Sequence, residues 1–466
     1  MAFSAFLDGK RGQCKELVKE LGKAFSYVSI LGADTAETRI FADKRMSSVS
    51  EGESDRGFVI KMYDGRSFFE YSLDDISGDK KELAAKIVEA VKIDPSLKSR
   101  MIEAGAIADI PMKEDFVRDT DFDKYEDPYL LGVCKKVSDD ITKADEKVLN
   151  SIGVISVYTV NKLFITKNRE LSQRYGWANG VILVVYNDEG KMAEARKVAA
   201  SGKLSEVIEK MNCMTEPAID LARHLAHAEQ IKPGVYDVIT DSSITGLIAH
   251  EAFGHGVEMD QFVKDRALAK NCVGQYVASP ISNMHDGAAA AVNVASYFFD
   301  DDGVLAQDTE IIKDGILMRG LSDLTSATEL GTEPTGNGRR DSHKRKAYSR
   351  MTNTFFLPGK DKLEDMIASV KHGYMLFETN NGMEDPKNWQ IQCTAEYGIE
   401  IVDGKLTENY VSPVVMSGYV PDLLKSISMV SDNFEVIGAG FCGKGYKEWV
   451  RVSDGGPNLK VRVKLG

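Results

Sequence analysis

Two histidines five residues apart, with a glutamate directly after the first, are the side chains of this sequence best suited to bind a metal and use it: His250-Glu251-Ala252-Phe253-Gly254-His255. Imidazole nitrogen is a common zinc donor, and a carboxylate next to a liganding histidine is placed to act as general base on a water. In the familiar zinc-protease pattern the second histidine follows four residues after the first, one helical turn above it. Five residues on a regular α-helix rotate by about 140°, against about 40° for four, so the two rings would not share a face. The spacing therefore predicts a π-bulge or a break in the helix. Gly254 is the residue expected to make that distortion cheap.

A catalytic zinc takes three protein ligands and keeps one position open, so a third donor must come from elsewhere. Glu258 is close in sequence. Cys442 lies in the glycine-rich stretch 437–445 (IGAGFCGKG), where the backbone can approach a site closely. Spacing alone leaves both open. The loop 335–340 (TGNGRR) is a candidate for substrate or oxyanion contacts through Thr335, Asn337, Arg339 and Arg340, a solvated turn being the alternative. His343 is a further candidate to assist. His224 and His227, three apart with no acid or cysteine at ligand spacing, read as a plain helical face.

These residues need elements to hold them. The motif falls in a helix spanning about 244–259, the main helical exception in a second half rich in strands and tight turns. Asp314-Gly315 and Asp403-Gly404 each sit between apolar-alternating runs and predict two-residue hairpins. Residues 292–299 read as a strand running into the turn at Asp300-Asp301-Asp302-Gly303. The first half reads as mixed α and β, with helices over 12–25, 79–93 (capped by Ser77 or Asp79), 192–211 and 216–231. Its strands are expected over 57–62 and 67–71, joined by a turn at 63–66, and over 152–166 and 180–186. The segment 109–129 reads as an irregular connection. The expected fold class is α+β: an N-terminal α/β domain over 1–215 with a mixed sheet, and a C-terminal β-rich domain over 216–466, largely antiparallel, carrying the metal-site helix.

Composition narrows the function classes. The 466 residues carry 58 basic and 71 acidic side chains, a formal charge of −13 with no Lys/Arg-rich block, which argues against direct nucleic-acid binding by phosphate neutralisation. No apolar window approaches the roughly 20 residues of a membrane span, and the N-terminal stretch is too short for a secretory signal. Six scattered cysteines form no disulfide framework. A cytoplasmic protein is expected.

HEAFGHGVEMD resembles the zinc motif of the TldD/PmbA family of metalloproteases, on its TldD-like, motif-bearing side. Further stretches follow in the family's order: 274–280 (GQYVASP), 300–304 (DDDGV), 335–340 (TGNGRR), 350–354 (RMTNT), Cys442-Gly443-Lys444 and Gly455-Gly456-Pro457. The first half is similar more loosely. The resemblance implies that His250, His255 and Cys442 bind Zn²⁺, that Glu251 is the general base, and that Glu258 supports the ligands. It implies a zinc-dependent peptidase acting on unstructured peptides, assembled as a homodimer or as a heterodimer with a paralogous subunit lacking the zinc motif. The alternative is a non-catalytic partner-binding protein, such as a gyrase modulator or the regulatory half of a protease pair. One departure stands out. Asn381-Gly382-Met383-Glu384-Asp385-Pro386 occupies the place of the family's Gly-Gly-Gln-Val-Asp-like stretch.

Overall fold

A computed structural model describes residues 2–91 and 109–466. The N-terminal half is an eight-stranded sheet whose main path runs Phe68–Leu73, Asp55–Tyr63, Tyr27–Asp43, Val148–Ile165, Arg169–Asp188 and Met112–Val117. All its pairings are antiparallel except that of Met112–Val117 with Arg169–Asp188. The long strands form because β-branched and aromatic residues recur every second position, a pattern that suits a pleated, half-buried surface. Helices Arg11–Leu21 and Lys80–Ala90 cover one end of the sheet. Helices Asp127–Ala144, Leu204–Cys213 and Thr215–Ala226 cover the other.

Asp79 caps its helix, accepting from the backbone N–H groups of Lys81 and Glu82. The helix runs to Ala90, and the predicted end at Ile93 lies outside the described residues. Residues 192–211 are not one helix. Lys191–Ser201 is a strand paired with Arg169–Asp188, and a separate helix follows at Leu204–Cys213. Ala193, Ala195 and Ala199 are buried at even spacing, and the Glu189-Gly190 turn, with φ of 51° and 90°, folds the chain back as a hairpin. That long-range pairing overrides the helix preference of alanine. The segment 109–129 holds a strand, Met112–Val117, and the start of the 18-residue helix Asp127–Ala144, where Pro128 opens the first turn and Leu130, Cys134, Val137 and Ile141 form the buried stripe.

The C-terminal half has two larger sheets. In one, His372–Asp385, Gly234–Thr240, Leu459–Leu465, Val414–Tyr419 and Gln390–Val402 pair in sequence. The pairing of His372–Asp385 with Gln390–Val402 closes the five strands into a ring. The other runs Ile316–Leu317, Thr309–Lys313, Met284–Asp286, Asn353–Phe356, Glu448–Gly456 and Glu435–Lys444. Each sheet contains one parallel contact in an otherwise antiparallel ladder. The two predicted hairpins are present, with φ of 48° and 80° at Asp314-Gly315 and 47° and 76° at Asp403-Gly404. Residues 292–299 form no strand; Val292 is 87% exposed, while the backbone of Phe298 and Phe299 is held by Gln173 of the N-terminal sheet. Tertiary anchoring there replaces a ladder.

Helix Thr215–Ala226 packs into the N-terminal core. The hydrophobic cluster of the N-terminal half reaches to Ala226, and that of the C-terminal half begins at Ile231. Charged groups join the halves. Lys61 and Lys162, on adjoining parts of the N-terminal sheet, pair with the buried Asp302 and Asp301, and Arg340 reaches Glu70 at 3.2 Å.

Candidate metal centre

Strand Gly234–Thr240 ends at Asp241, whose carboxylate accepts from the N–H of Ile244 at 2.7 Å and starts helix Ser242–Ile248. The helix continues as a π-helical turn over Ala249–Gly254 and closes with a tight turn at His255–Val257. Bonding from i to i+5 brings residues five apart onto one face, so the five-residue spacing and the widened turn are one fact. The rings of His250 and His255 stand 5.0 Å apart, edge to face. Gly254 itself has φ −66° and ψ −61°, ordinary helical values. Its lack of a side chain serves space: a Cβ there would lie 2.0 Å from the sulfur of the buried Met351.

Cys442 comes from the hairpin of Glu435–Lys444 with Glu448–Gly456, placed opposite Val450. Its Sγ lies 3.4 Å from His255 Nε2, and donor atoms of His250, His255 and Cys442 all fall within 4.8 Å of one another. Zinc bonds of about 2.3 Å to sulfur and 2.0–2.1 Å to nitrogen in a tetrahedron separate those donors by about 3.5 Å. The donor set and its spread fit Zn²⁺. Among the described residues this is the one cluster of three such donors, and Glu258 does not join it.

Each histidine has a carboxylate behind it, the arrangement that orients liganding imidazoles. His255 Nδ1 meets Glu258 Oε2 at 3.1 Å, and His250 Nδ1 stands 3.6 Å from Asp454 Oδ2, too far for a hydrogen bond. Lys444 Nζ donates to Glu258 at 2.9 Å and Asp260 at 2.6 Å; Arg350 donates to the carbonyl of Cys442 and lies 3.9 Å from Glu258. Burial opposes ionisation of Cys442, but the two imidazoles outweigh it and hold the thiol well below its ordinary value. Burial likewise opposes charge on His250, and Cys442 with Glu251 lifts it to about 9. A divalent cation held by this thiolate and the two imidazoles would take the place of the ring protons. Burial raises Asp454 to about 6, with His250 opposing.

Glu251 is buried against Gly382, where a Cβ would come 2.5 Å from its Cγ. It follows a ligand candidate directly. Glu384 lies on the same strand two residues on, and burial raises it to about 9; His255 opposes, while Glu251 and Glu258 add to the shift.

Most polar groups of the loop 335–340 are spent on the protein, the buried Arg340 Nε excepted. Thr335 and Asn337 are fully buried; Asn337 Nδ2 donates to Asp286 at 2.7 Å, and Thr335 Oγ1 to Asn337 at 2.7 Å. Arg339 donates to the carbonyls of Met351 and Arg451, each at 2.6 Å, and Arg340 joins Glu70. The expectation of substrate contacts gives way to a bracing role: Asn337 accepts from the N–H of Arg350, whose side chain reaches Cys442. His343 is elsewhere, between Asp55 at 2.6 Å and Asp74 at 2.9 Å of the N-terminal half. His224 stacks on Tyr410. Sequence reasoning missed Arg350, Lys444, Asp454 and Glu384. The available signal was charge inside stretches otherwise built of glycine and apolar residues.

Residues 233–464 match the model of the PmbA/TldA metallopeptidase C-terminal domain. A metalloprotease of Methanothermobacter thermautotrophicus is 32% identical over 241 residues, 52% of each chain, and a metalloprotease TldD homologue of Haemophilus influenzae is 34% identical over 229 residues, 49% of this chain and 47% of its own. The chain thus spans about half the length of these two relatives. TldE of Thermococcus kodakarensis superposes with a TM-score of 0.78 at 19% identity, over 97% of this chain and 100% of its own, and shares the fold. A Synechocystis metalloprotease is 31% identical over 333 residues, 71% of each chain. On that coverage, together with the matched C-terminal domain, the chain belongs to the TldD/PmbA family of metalloproteases.

Proposed function

We propose that the protein is a zinc-dependent peptidase for unstructured peptides, with His250, His255 and Cys442 as the metal ligands and Glu251 as general base. The convergence of three zinc-type donors beside a buried glutamate that is not one of them carries this reading. A closed structural site would use a fourth ligand and need no base. Bound Zn²⁺ would supply Lewis acidity toward a scissile carbonyl and a more acidic water. Glu251, fixed between the π-turn and Gly382, takes the proton of the attacking water and returns it to the leaving amine. Glu258 holds the His255 imidazole in orientation, and Asp454 stands behind His250 without a hydrogen bond to it. Lys444 and Arg350 hold Glu258.

The strand bearing Cys442 is the outermost of its sheet. An extended peptide added to that edge would gain main-chain hydrogen bonds with little sequence preference, which suits unfolded substrates. Exposed Phe441, Tyr446 and Trp449 flank the same hairpin, and they support assembly with a second subunit, either a copy or a motif-free paralogue. Among the described residues no helix is long and apolar enough to cross a membrane; together with the scattered free cysteines this supports a cytoplasmic location.

A solved Thermotoga maritima protein described as a modulator of a DNA gyrase shares the fold, with a TM-score of 0.78 at 18% identity over 99% of this chain. It keeps the non-catalytic alternative in view. Glu251→Ala separates the two readings. Peptidase function predicts loss of casein-peptide cleavage by at least about 10²–10⁴-fold with zinc content retained; the binding reading predicts no change in any phenotype. Zinc-loaded Glu251→Ala that cleaves at the wild-type rate would remove the proposed base.

A further inference from the structure

The side chain of Glu384 is left without a role by the mechanism above. Gly382 and Glu384 are two apart on strand His372–Asp385 and so face the same way, onto the π-turn. Gly382 backs Glu251, and Glu384 Oε1 lies 3.2 Å from where a Cβ on Gly256 would stand. Both carboxyl oxygens of Glu384 are buried and neither has a hydrogen-bond partner, although the residue as a whole is partly exposed. Its electrostatic neighbours are the carboxylates of Glu251, Glu258 and Asp385, with His255 the opposing cation. Neither Lys444, which donates to Glu258, Asp260 and the carbonyl of Ser349, nor Arg350, which donates to the carbonyl of Cys442 and keeps a buried, unpartnered Nε, forms a hydrogen bond or ion pair with Glu384.

Buried acceptors without donors are costly, and a carboxyl pair of oxygens is best met by a charged group carrying several N–H bonds. No hydrogen bond joins Glu384 to Glu251. The donor set around the two histidines does not include Glu384, so it is not a fourth ligand. We propose that Glu384 determines specificity, receiving a lysine or arginine side chain of the peptide in the subsite beside Glu251. This rests on the peptidase reading for its substrate class.

The test uses two peptides identical except for a lysine or its acetylated form next to the scissile bond. The full-length protein should cleave the lysine peptide with kcat/KM about 10–100-fold higher, and Glu384→Gln should bring that ratio close to one. A second arm measures binding by calorimetry in Glu251→Gln, with and without Glu384→Gln. The lysine peptide should bind at least tenfold tighter than the acetylated one, and only when Glu384 is present. Absence of cleavage with that binding difference intact would remove the peptidase reading and leave the Glu384 assignment standing. Equal handling of the two peptides by the unsubstituted protein, or a preference that survives Glu384→Gln, overturns the assignment. Should Glu384→Gln not fold, the lysine-to-acetyl-lysine ratio of the unsubstituted protein decides: a ratio near one overturns the proposal, and a ratio of ten or more supports it.

Discussion

Gly254→Ala is the smallest change that tests why the motif helix is built as it is. The backbone at this position is ordinary helix, so alanine meets no dihedral penalty, and its intrinsic helix preference favours it over glycine by up to about 1 kcal/mol. Space opposes it. The new methyl would stand 2.0 Å from Met351 Sδ and 3.2 Å from both Met351 Cε and the carbonyl oxygen of Ala249. A comfortable separation is about 3.5–4.0 Å, so the sulfur must retreat by roughly 1.5–2 Å inside a core where Met351 has no exposed surface. Overpacking of this kind costs about 1–3 kcal/mol, leaving a net loss of about 0–2 kcal/mol after the full helix term. Where the turn yields instead of the methionine, His255 moves relative to Cys442 and zinc affinity falls. Urea unfolding of zinc-loaded and zinc-stripped protein, with chelator competition for zinc, reads both effects. A double-mutant cycle with Met351→Ala should show favourable coupling of at least about 1 kcal/mol, because the shortened side chain clears the methyl. No coupling between Gly254→Ala and Met351→Ala would refute the steric account.

The metal site and the contact between halves give two further expectations. Cys442→Ala and His255→Ala should weaken zinc binding to a similar extent, and acidification should release zinc because a protonated thiol and imidazole no longer donate; full zinc occupancy in Cys442→Ala would transfer the third-ligand role to another residue. Glu70 is the second case: burial disfavours its charge, but Lys61 and Arg340 outweigh this and lower it to about 2 from 4.5. A depressed carboxylate stabilises above its unfolded pKa and loses that contribution as pH falls through the folded one, so Glu70→Gln should cost about 3 kcal/mol near neutrality and converge on the wild type between pH 4.5 and 2. Parallel stability curves across that window would rule out the ion pairing as the cause.

The features legible in the sequence were those fixed by local geometry. Histidines five apart cannot share a face of a regular helix, and the helix is π-wound there. Paired Asp-Gly turns specify their hairpins because both residues take positive φ. Asp79 declares itself as a cap. What escaped was decided at long range. Lys191–Ser201 looks helical by composition and is a strand because Arg169–Asp188 offers an edge beside it. The loop 335–340 reads as a candidate for substrate or oxyanion contacts, yet most of its donors meet partners that only the fold brings near, among them Asp286 and Glu70. Gly254 was singled out correctly for the wrong physical reason, since nothing in the sequence announces Met351 across from it.

The pairing of Lys61 and Lys162 with Asp302 and Asp301 carries a consequence for how the molecule is made. The two aspartates are buried in the C-terminal half, and their cationic partners on the N-terminal sheet are synthesised more than a hundred residues earlier. A nascent chain thus has the lysines waiting before the acids emerge, and the sheet bearing them keeps water around its charges until docking. Docking the two halves without those lysines would bury carboxylates with no counter-charge, which is strongly unfavourable. A separately expressed fragment 233–464 would lack both lysine partners, and it is expected to be less stable than the same segment within the full chain, which limited proteolysis of the two would check.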